Sequence, residues 1–238
     1  MRPPAKFSTW QAAGNRYLLV ERAQLAEPLT AAAARDASRG ADGILEIVSS
    51  EDDAAVIVIW NADGSQAEMS GNGTRIAARW LAEKTGVDSV TIRVGERSVS
   101  ARVRSDGQVE QDLGQVEVGS REIVDGIEFV PVSVGNPHAV VVGDPAEITR
   151  IGPLLERHPR FPERTNVQVA RVDGPGEVTA RVWERGVGET ASSGTSAIAV
   201  AAATHRQGTV RVHFPGGDLA VDLVDGRATL TGPAERLD

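Results

Sequence analysis

The sequence predicts a mixed α/β (α+β) protein of two pseudo-symmetric halves, each a curved, barrel-like sheet around one central helix. Three observations lead to this fold class. Short apolar segments separated by turn residues recur along the chain, a tryptophan-to-serine motif occurs twice at one spacing, and two helical segments are too apolar for a protein surface.

The secondary structure is predicted from apolar periodicity and turn chemistry. Segments rich in β-branched residues, from YLLVER near the start to TVRVHF near the end, have the composition of strands. Turns are predicted at the Asp-Gly pairs 63–64, 106–107, 173–174 and 225–226. Helices are predicted at about residues 30–38, 72–85, 147–157 and 194–207. The second helix should end before Gly86 and the fourth before Gly208, where a left-handed residue is expected.

An internal repeat divides the chain into two halves. Trp60 and Trp183 are 123 residues apart, and each is followed ten residues later by Ser-Gly and a small-residue helix. The Ser-Gly pairs are Ser70-Gly71 and Ser193-Gly194, and Gly-Asn pairs at 14–15 and 135–136 are offset by 121 residues. We therefore expect domains at residues 1–116 and 117–238, with the last residues able to return to the first half.

The two central helices suggest a chemical function. Segment 194–207 is apolar on every face and segment 72–85 nearly so, which requires both to be enclosed. A cleft between the halves would bring their N-termini face to face. Helix N-termini present unpaired N–H groups and partial positive charge, which suit a carboxylate. Two opposed proton-transfer groups are what inversion of a carbon centre requires, although serine is also an ordinary N-cap and a structural motif can be duplicated.

The composition excludes several classes of function. The net charge is −8 and there is no block of Lys or Arg, which argues against nucleic acid or an anionic membrane as partner. No run reaches the length of a membrane span and no apolar leader follows the first residues, so a cytoplasmic protein is expected. The chain has no cysteine and only four dispersed histidines, so no metal site is expected.

Several motifs carry a resemblance to a known family. NADGSQAE (61–68) followed by MSGNGTR (69–75), and WERGVGETASSGTSAIA (183–199), resemble the two catalytic motifs of the diaminopimelate epimerase family. GADG (40–43), VGNPHAVVV (134–142) and TNVQ (165–168) agree with it. The resemblance spans nearly the whole chain, and it puts Ser70 and Ser193 where the family carries its two cysteines.

The resemblance implies the family's fold and a cofactor-free epimerase that converts LL-diaminopimelate to the meso form for lysine and peptidoglycan synthesis. It implies a small amino-acid substrate and a homodimer. The acid/base positions would be Ser70 and Ser193, with His138 and Glu184 assisting proton transfer. The implied substrate-binding residues are Asn15, Asn61, Gly71, Asn72, Asn136, Asn166, Arg185, Gly194 and Thr195.

Two departures from the family keep alternatives open. Arg16 follows Gly14-Asn15 where the family has aspartate, and both thiols are replaced by alcohols, which are much poorer bases at neutral pH. The protein could therefore be a working epimerase, a ligand-binding homologue without turnover whose cysteines were lost naturally or by design, or an epimerase of another amino acid such as proline. Singly, Asn61 and Asn136 also suit turns, and Glu184 and Arg185 also suit a solvated pair.

Overall fold

The computed structural model describes residues 6–238, which form nineteen strands, four α-helices and two short 3-10 helices. The chain divides into two compact units. Unit 1 comprises the residues up to Asp112 together with Gly232–Asp238, and unit 2 comprises Leu113–Thr231. No helix in the described part of the chain is long and apolar enough to cross a membrane.

Unit 1 alternates strands with two α-helices. Its elements are β1 (Ser8–Ala12), β2 (Asn15–Glu21), α1 (Ala31–Ala37), β3 (Gly43–Ser50), β4 (Ala54–Asn61), β5 (Gln66–Ala67), α2 (Gly71–Thr85), β6 (Ser89–Val94), β7 (Arg97–Val103) and most of β8 (Gln108–Gln115). A 3-10 helix at Arg22–Gln24 follows β2.

Unit 2 follows the same plan. Its elements are β9 (Glu117–Val118), β10 (Glu122–Val124), β11 (Ile127–Ser133), β12 (Pro137–Val142), α3 (Ile148–Glu156), β13 (Asn166–Gly174), β14 (Glu177–Glu184), β15 (Gly188–Thr190), α4 (Gly194–Thr204), β16 (Gly208–Phe214), β17 (Gly217–Val224) and most of β18 (Arg227–Pro233). A 3-10 helix at Pro145–Glu147 precedes α3, and β19 (Glu235–Arg236) belongs to unit 1, where it pairs with β1.

The predicted repeat is present in the topology of the strands. In unit 1, β2 is parallel to β3, β3 is antiparallel to β4, and β4 is parallel to β6. In unit 2, β12, β13, β14 and β16 have the same relations in the same order. Strands β4 and β14 begin 123 residues apart, as do helices α2 and α4. The mixed α/β fold of two pseudo-symmetric halves is confirmed.

Each central helix is enclosed by the strands of its own unit, as its composition predicted. Helix α4 contacts β11, β12, β13, β14, β16 and β17, and its residues 196–202 are all buried. Helix α2 contacts β1, β3, β4, β6 and β7 and buries residues 72–78. Strands such as β14 alternate buried and partly exposed residues because one face packs on the helix while the other faces outward.

A second, outer layer covers the central strands. The first five residues of both β3 and β13 are buried, because the face away from the central helix is also covered. In unit 2 the cover is α3, whose Ile148, Ile151 and Leu155 pack against β13. At Gly152 a Cβ atom would lie 2.7 Å from both Cβ and Cγ of Trp183, so only glycine permits this close approach.

The two repeated tryptophans are anchored in the same way by different elements. Trp60 donates its indole N–H to Glu46 of β3 at 3.0 Å, and Trp183 donates to Glu156 of α3 at 3.0 Å. Burial opposes ionisation of both carboxyls, but their hydrogen bonds prevail and hold both pKa values below the ordinary range. The repeated Trp is therefore a structural anchor in each unit.

Two local predictions were wrong. The fourth helix ends at Thr204 rather than at residue 207, because Arg206 adopts a left-handed conformation with φ of 62° before Gly208 does so. The pair 173–174 lies inside β13, which bulges between Val172 and Gly174, and the turn follows at 175–176. Gly176, with φ of 71°, supplies the left-handed residue there.

Candidate functional site

Ser70 begins the central helix of unit 1 as a true N-cap. Its backbone is extended, and its Oγ accepts a hydrogen bond from the Gly73 N–H at 3.0 Å. The same Oγ lies 3.1 Å from the hydroxyl of Tyr17 in β2. Gly71 is partly buried and Asn72 buried at this helix end. The capping role is thus real, and the hydroxyl also has a side-chain partner from a neighbouring strand.

A buried cation lies one turn into the same helix. Arg75 has no exposed surface, donates to the Asn72 side-chain oxygen, and reaches the Pro233 carbonyl at 3.5 Å. Its Nη1 has no hydrogen-bond partner among the described residues. Burial lowers the pKa of Arg75 to about 10, and the nearby Tyr17 phenol acts against this lowering.

The two remaining site residues of unit 1 lie on strands. Asn15 is the first residue of β2 and lies opposite Ala12 across a tight turn. Asn61 ends β4 and is exposed, and its side-chain amide donates to Ser65 Oγ at 2.9 Å. Asn61 therefore supports the turn before α2, as the turn interpretation predicted. Only Asn15 shares a strand with the Tyr17 that contacts Ser70.

Ser193 begins the central helix of unit 2 but does not cap it. The backbone of Ser193 is extended like that of Ser70, yet its side chain accepts no capping bond. It hydrogen-bonds instead to the carboxyl of Glu184, which also accepts from Thr190 Oγ1 at 2.5 Å. Burial raises the pKa of Glu184 above the ordinary range despite these two bonds, which lower it. Gly194 is buried and Thr195 partly buried beside it.

His138 is held in a buried polar network of unit 2. Its Nε2 lies 3.0 Å from Asn136 Oδ1, and its Nδ1 lies 3.0 Å from Gln168 Nε2, which also donates to Ser196 at 2.9 Å. With the amide donating to Nδ1, the neutral ring carries its proton on Nε2. Burial lowers the pKa of His138 to about 3, with a smaller contribution from the charge of Arg185. The ring is neutral at physiological pH.

Asn166 connects this network to Arg185. Strands β12 and β13 pair His138 with Asn166, whose amide donates to the Pro137 carbonyl at 3.1 Å. The Asn166 side-chain oxygen accepts from the Arg185 backbone N–H at 3.0 Å. Arg185 is exposed, and its guanidinium reaches the Glu163 carbonyl at 3.3 Å. The interpretation of Glu184 and Arg185 as a solvated ion pair is wrong, because Glu184 turns to Thr190 and Ser193.

Four residues with clear contacts to the site were not predicted as site residues. They are Tyr17, Arg75, Gln168 and Thr190. Arg75, Gln168 and Thr190 stand inside the motifs that carried the family resemblance, so their positions offered a signal. The sequence signal for Tyr17 was weaker, because only its closeness to Asn15 along β2 pointed to the site.

The neutral, buried His138 predicts a pH dependence of stability. The unfolded chain binds a proton near the ordinary pKa of about 6.5, whereas the folded ring resists protonation down to about 3. Between these values the unfolded state binds more protons, so stability must fall as pH falls, by up to about 1.4 kcal/mol per pH unit. We expect His138→Gln to flatten this slope between pH 6.5 and 5 in urea unfolding.

His213 provides a matched control with the opposite sign. Its ring bridges Asp218 and Glu177, at 2.8 and 2.7 Å, and these carboxylates raise its pKa. Its stabilisation is present below the unfolded pKa and is lost as pH rises through the folded one. His213→Gln should therefore change the slope above pH 6.5 only. An unchanged acid-side slope in His138→Gln would contradict the buried neutral ring.

The described residues contain no group of three or more His, Asp or Glu side chains arranged to hold a metal ion. In each unit taken by itself, the central helix begins at a serine whose hydroxyl contacts a second proton-bearing side chain. The partner is a phenol at Ser70 and a carboxyl at Ser193. Each of these pairs is suited to proton transfer next to backbone N–H groups.

Solved structures of similar fold share low sequence identity with this chain. A predicted epimerase from Pseudomonas aeruginosa matches with a TM-score of 0.75 at 18% identity, covering 99% of this chain and 98% of that one. A hydroxyproline epimerase from Agrobacterium vitis matches with a TM-score of 0.67 at 15% identity, covering 100% and 91%. At these identities the likeness supports the fold.

Sequence comparisons are more specific. The model of the diaminopimelate epimerase family matches residues 7–119 and 130–237. Diaminopimelate epimerase of Synechocystis sp. is 35% identical over 97% of this chain and 96% of the relative. Diaminopimelate epimerase of Azotobacter vinelandii is 41% identical over 75% of each. The residues matched by the family model include both central helices and the serines that begin them. The protein therefore belongs to the diaminopimelate epimerase family of isomerases.

Proposed function

We propose that this protein inverts one stereocentre of LL-diaminopimelate to give the meso form, with Ser70 and Ser193 as the two proton-transfer positions. The observation that carries the proposal is that the two serines begin equivalent central helices of the repeat. Each hydroxyl also contacts a group able to exchange a proton with it, Tyr17 in one case and Glu184 in the other.

The chemistry follows from removing a proton at one face and delivering one to the other. The α-proton of an amino acid is weakly acidic, so the carbanion must be stabilised as it forms. Backbone N–H groups at the helix starts, at Gly71, Asn72, Gly194 and Thr195, are suited to the α-carboxylate, onto which the developing charge spreads. No cofactor is assigned, because proton transfer and this electrostatic stabilisation are sufficient in principle.

The rest of the substrate is assigned to a polar set. We propose that its distal amino and carboxylate groups meet Asn15, Asn61, Asn136, Asn166 and Arg185. Arg185 suits a second carboxylate because its charge is permanent and its planar donors match that group. Its backbone is held by Asn166 while its guanidinium is exposed. His138, neutral and fixed by Gln168, assists through its Nε2–H.

A second candidate is a homologue that binds diaminopimelate without turnover. It is favoured by one specific observation, the presence of serine at both acid/base positions. An epimerase for another amino acid has less support, because the relatives that share 35% and 41% identity are both named diaminopimelate epimerase.

Incubation with LL-diaminopimelate in D₂O separates these candidates. We expect deuterium at the α-carbon together with formation of the meso isomer. Saturable binding without any deuterium would establish the non-catalytic candidate. Absence of diaminopimelate binding, with deuterium exchange into proline or hydroxyproline instead, would show that the substrate is another amino acid.

Arg185→Ala should weaken binding of diaminopimelate about fivefold or more, because losing a hydrogen bond to a charged group costs more than about 1 kcal/mol. Isothermal titration calorimetry measures the change. Arg171→Ala is the control, since Arg171 is also exposed in unit 2 and pairs with Asp173 at 2.7 Å. Equal affinities of Arg185→Ala and the parent protein would rule out Arg185 as partner of the distal carboxylate.

We also propose a biological setting for this reaction. The reaction would serve lysine and peptidoglycan synthesis, in the cytoplasm, and a homodimer is the proposed assembly. Sedimentation velocity at several protein concentrations tests the assembly, and a single monomer species throughout would contradict it.

A further inference from the structure

Tyr17 is the only tyrosine of the chain, and it combines a core position with a hydroxyl at the helix start of Ser70. It is 7% exposed, and its ring belongs to the core of unit 1 around α2. Its hydroxyl lies 3.1 Å from Ser70 Oγ, which simultaneously accepts the Gly73 N–H. Because the N–H occupies one lone-pair direction of Oγ, the Ser70 hydroxyl proton is available for donation to the Tyr17 oxygen.

Arg75, one turn into the helix that Ser70 begins, is a second buried polar group close to this pair. It is fully buried, forms no ion pair with a carboxylate in the described part of the chain, and leaves Nη1 without a partner. An uncompensated buried cation is costly, so a nearby group that can become negative is favoured to do so. Tyr17 is an ionisable group near enough for its negative form to favour the charged guanidinium of Arg75 and raise the pKa of that group.

We propose that Tyr17, as a phenolate stabilised by Arg75, activates Ser70 for proton transfer. This rests on the proposed function. In the step, the bond between the substrate α-carbon and its hydrogen breaks, and that proton forms a new O–H bond to Ser70 Oγ. The original Ser70 proton moves to the Tyr17 oxygen, and the electron pair remains on the substrate as the carbanion. One negative charge leaves the phenolate and one appears on the substrate, so the total charge is unchanged.

This proton relay, from the substrate to Ser70 and from Ser70 to Tyr17, compensates for the low acidity of the serine hydroxyl. An alcohol alone is several pKa units too weak an acid to form its base at neutral pH, and each unit costs about 1.4 kcal/mol. A phenol ionises near pH 10 in water; burial raises that pKa, and a nearby buried cation lowers it. The relay requires the effect of the cation to exceed that of burial. Tyr17 is assigned as a positioning residue, because the role proposed for it is exerted through the Ser70 hydroxyl.

The first test is independent of turnover. Since the chain has one tyrosine, the tyrosinate absorbance of the folded protein reports Tyr17 alone. We expect its transition at lower pH than that of N-acetyltyrosinamide. Arg75→Met should move it to higher pH, while Arg75→Lys, which keeps a positive charge, should largely restore it. A parent transition at or above that of the model compound would overturn the proposal, even if neither Arg75 variant folds.

The second test uses deuterium exchange from LL-diaminopimelate. Tyr17→Phe should slow exchange at least about tenfold without weakening binding, whereas in a Ser70→Cys background the loss should shrink, because a thiol ionises without help. Thr85→Val, which removes a half-buried hydroxyl at the other end of α2, is the control and should leave exchange unchanged. Equal losses from Tyr17→Phe in both backgrounds would indicate a merely structural role and overturn the proposal.

The two tests separate failure of this inference from failure of the proposed function. If the parent protein exchanges no deuterium into diaminopimelate, the proposed function fails, while the absorbance titration still decides whether Arg75 holds Tyr17 as a phenolate. If exchange occurs but Tyr17 titrates ordinarily and Tyr17→Phe is fully active, the proposed function stands and the relay is excluded.

Discussion

Replacing Ser70 and Ser193 together by cysteine is expected to raise the rate of diaminopimelate epimerisation by at least about 10²-fold, the lower range for a well-matched general acid and base. A thiol has a pKa of about 8.5, and the N–H groups of a helix start stabilise its thiolate further. Ser70 already accepts the Gly73 N–H, so a sulfur atom there would meet a donor suited to its charged form.

Single replacements should gain much less than the double one. Inversion needs a competent group at each face, and groups that act as a unit are not additive. Separate measurement of deuterium exchange and of inversion, for the parent, both single variants and the double variant, resolves the two faces. A double variant that binds substrate but gains no rate would show that residues 70 and 193 are not the proton-transfer positions.

Glu184→Gln is expected to slow exchange by about 10²-fold or more, because it removes the acid/base partner of Ser193 while preserving shape. The same change should stabilise the fold at neutral pH. Burial raises the pKa of Glu184 above its ordinary value of 4.5, so its stabilising effect is present below that value and is lost as pH rises through the raised one. Glutamine escapes this loss, since it never ionises.

The control for this variant is Thr190→Val. It removes the other hydrogen bond to the Glu184 carboxyl and leaves both Ser193 and the carboxyl in place. We expect a smaller rate loss than in Glu184→Gln and no stabilisation at neutral pH. Urea unfolding at pH 4 and pH 8 checks the stability claim. A Glu184→Gln variant that is fully active would mean that Ser193 exchanges its proton without Glu184.

The paired central helices were predictable because their composition leaves no alternative. A helix such as α4, with residues 196–202 all buried, must be surrounded by other elements. The repeat indicates the same arrangement for the central helix of the other half. Strands β7 and β8 are among the strands that were not predicted. Their sequences RSVSARV and QVEQDLGQ are mostly polar, since few residues of either strand face inward, and one of these is Gln111, which is buried and donates to Thr74 at 2.8 Å.

The candidate site was predictable as a set of motifs and not as a set of contacts. Both serines begin helices with similar extended backbones, and nothing local distinguishes them. One caps its helix and the other bonds to Glu184, because the partner of each hydroxyl comes from a strand elsewhere in the chain. Tyr17 is 53 residues from Ser70, so its role depends on tertiary packing that sequence periodicity does not encode.

The return of the last residues to unit 1 has a consequence for synthesis. Strand β1 pairs with β19, and Ala234 is buried in the core of unit 1, whereas unit 2 is one continuous stretch ending at Thr231. At roughly 5–20 residues per second, residues 113–231 occupy the ribosome for about 6–24 s after the main part of unit 1 has been made. During that interval β1 has an open edge. The unit that is begun first is therefore completed only after unit 2 has been made, when β19 becomes available to pair with β1.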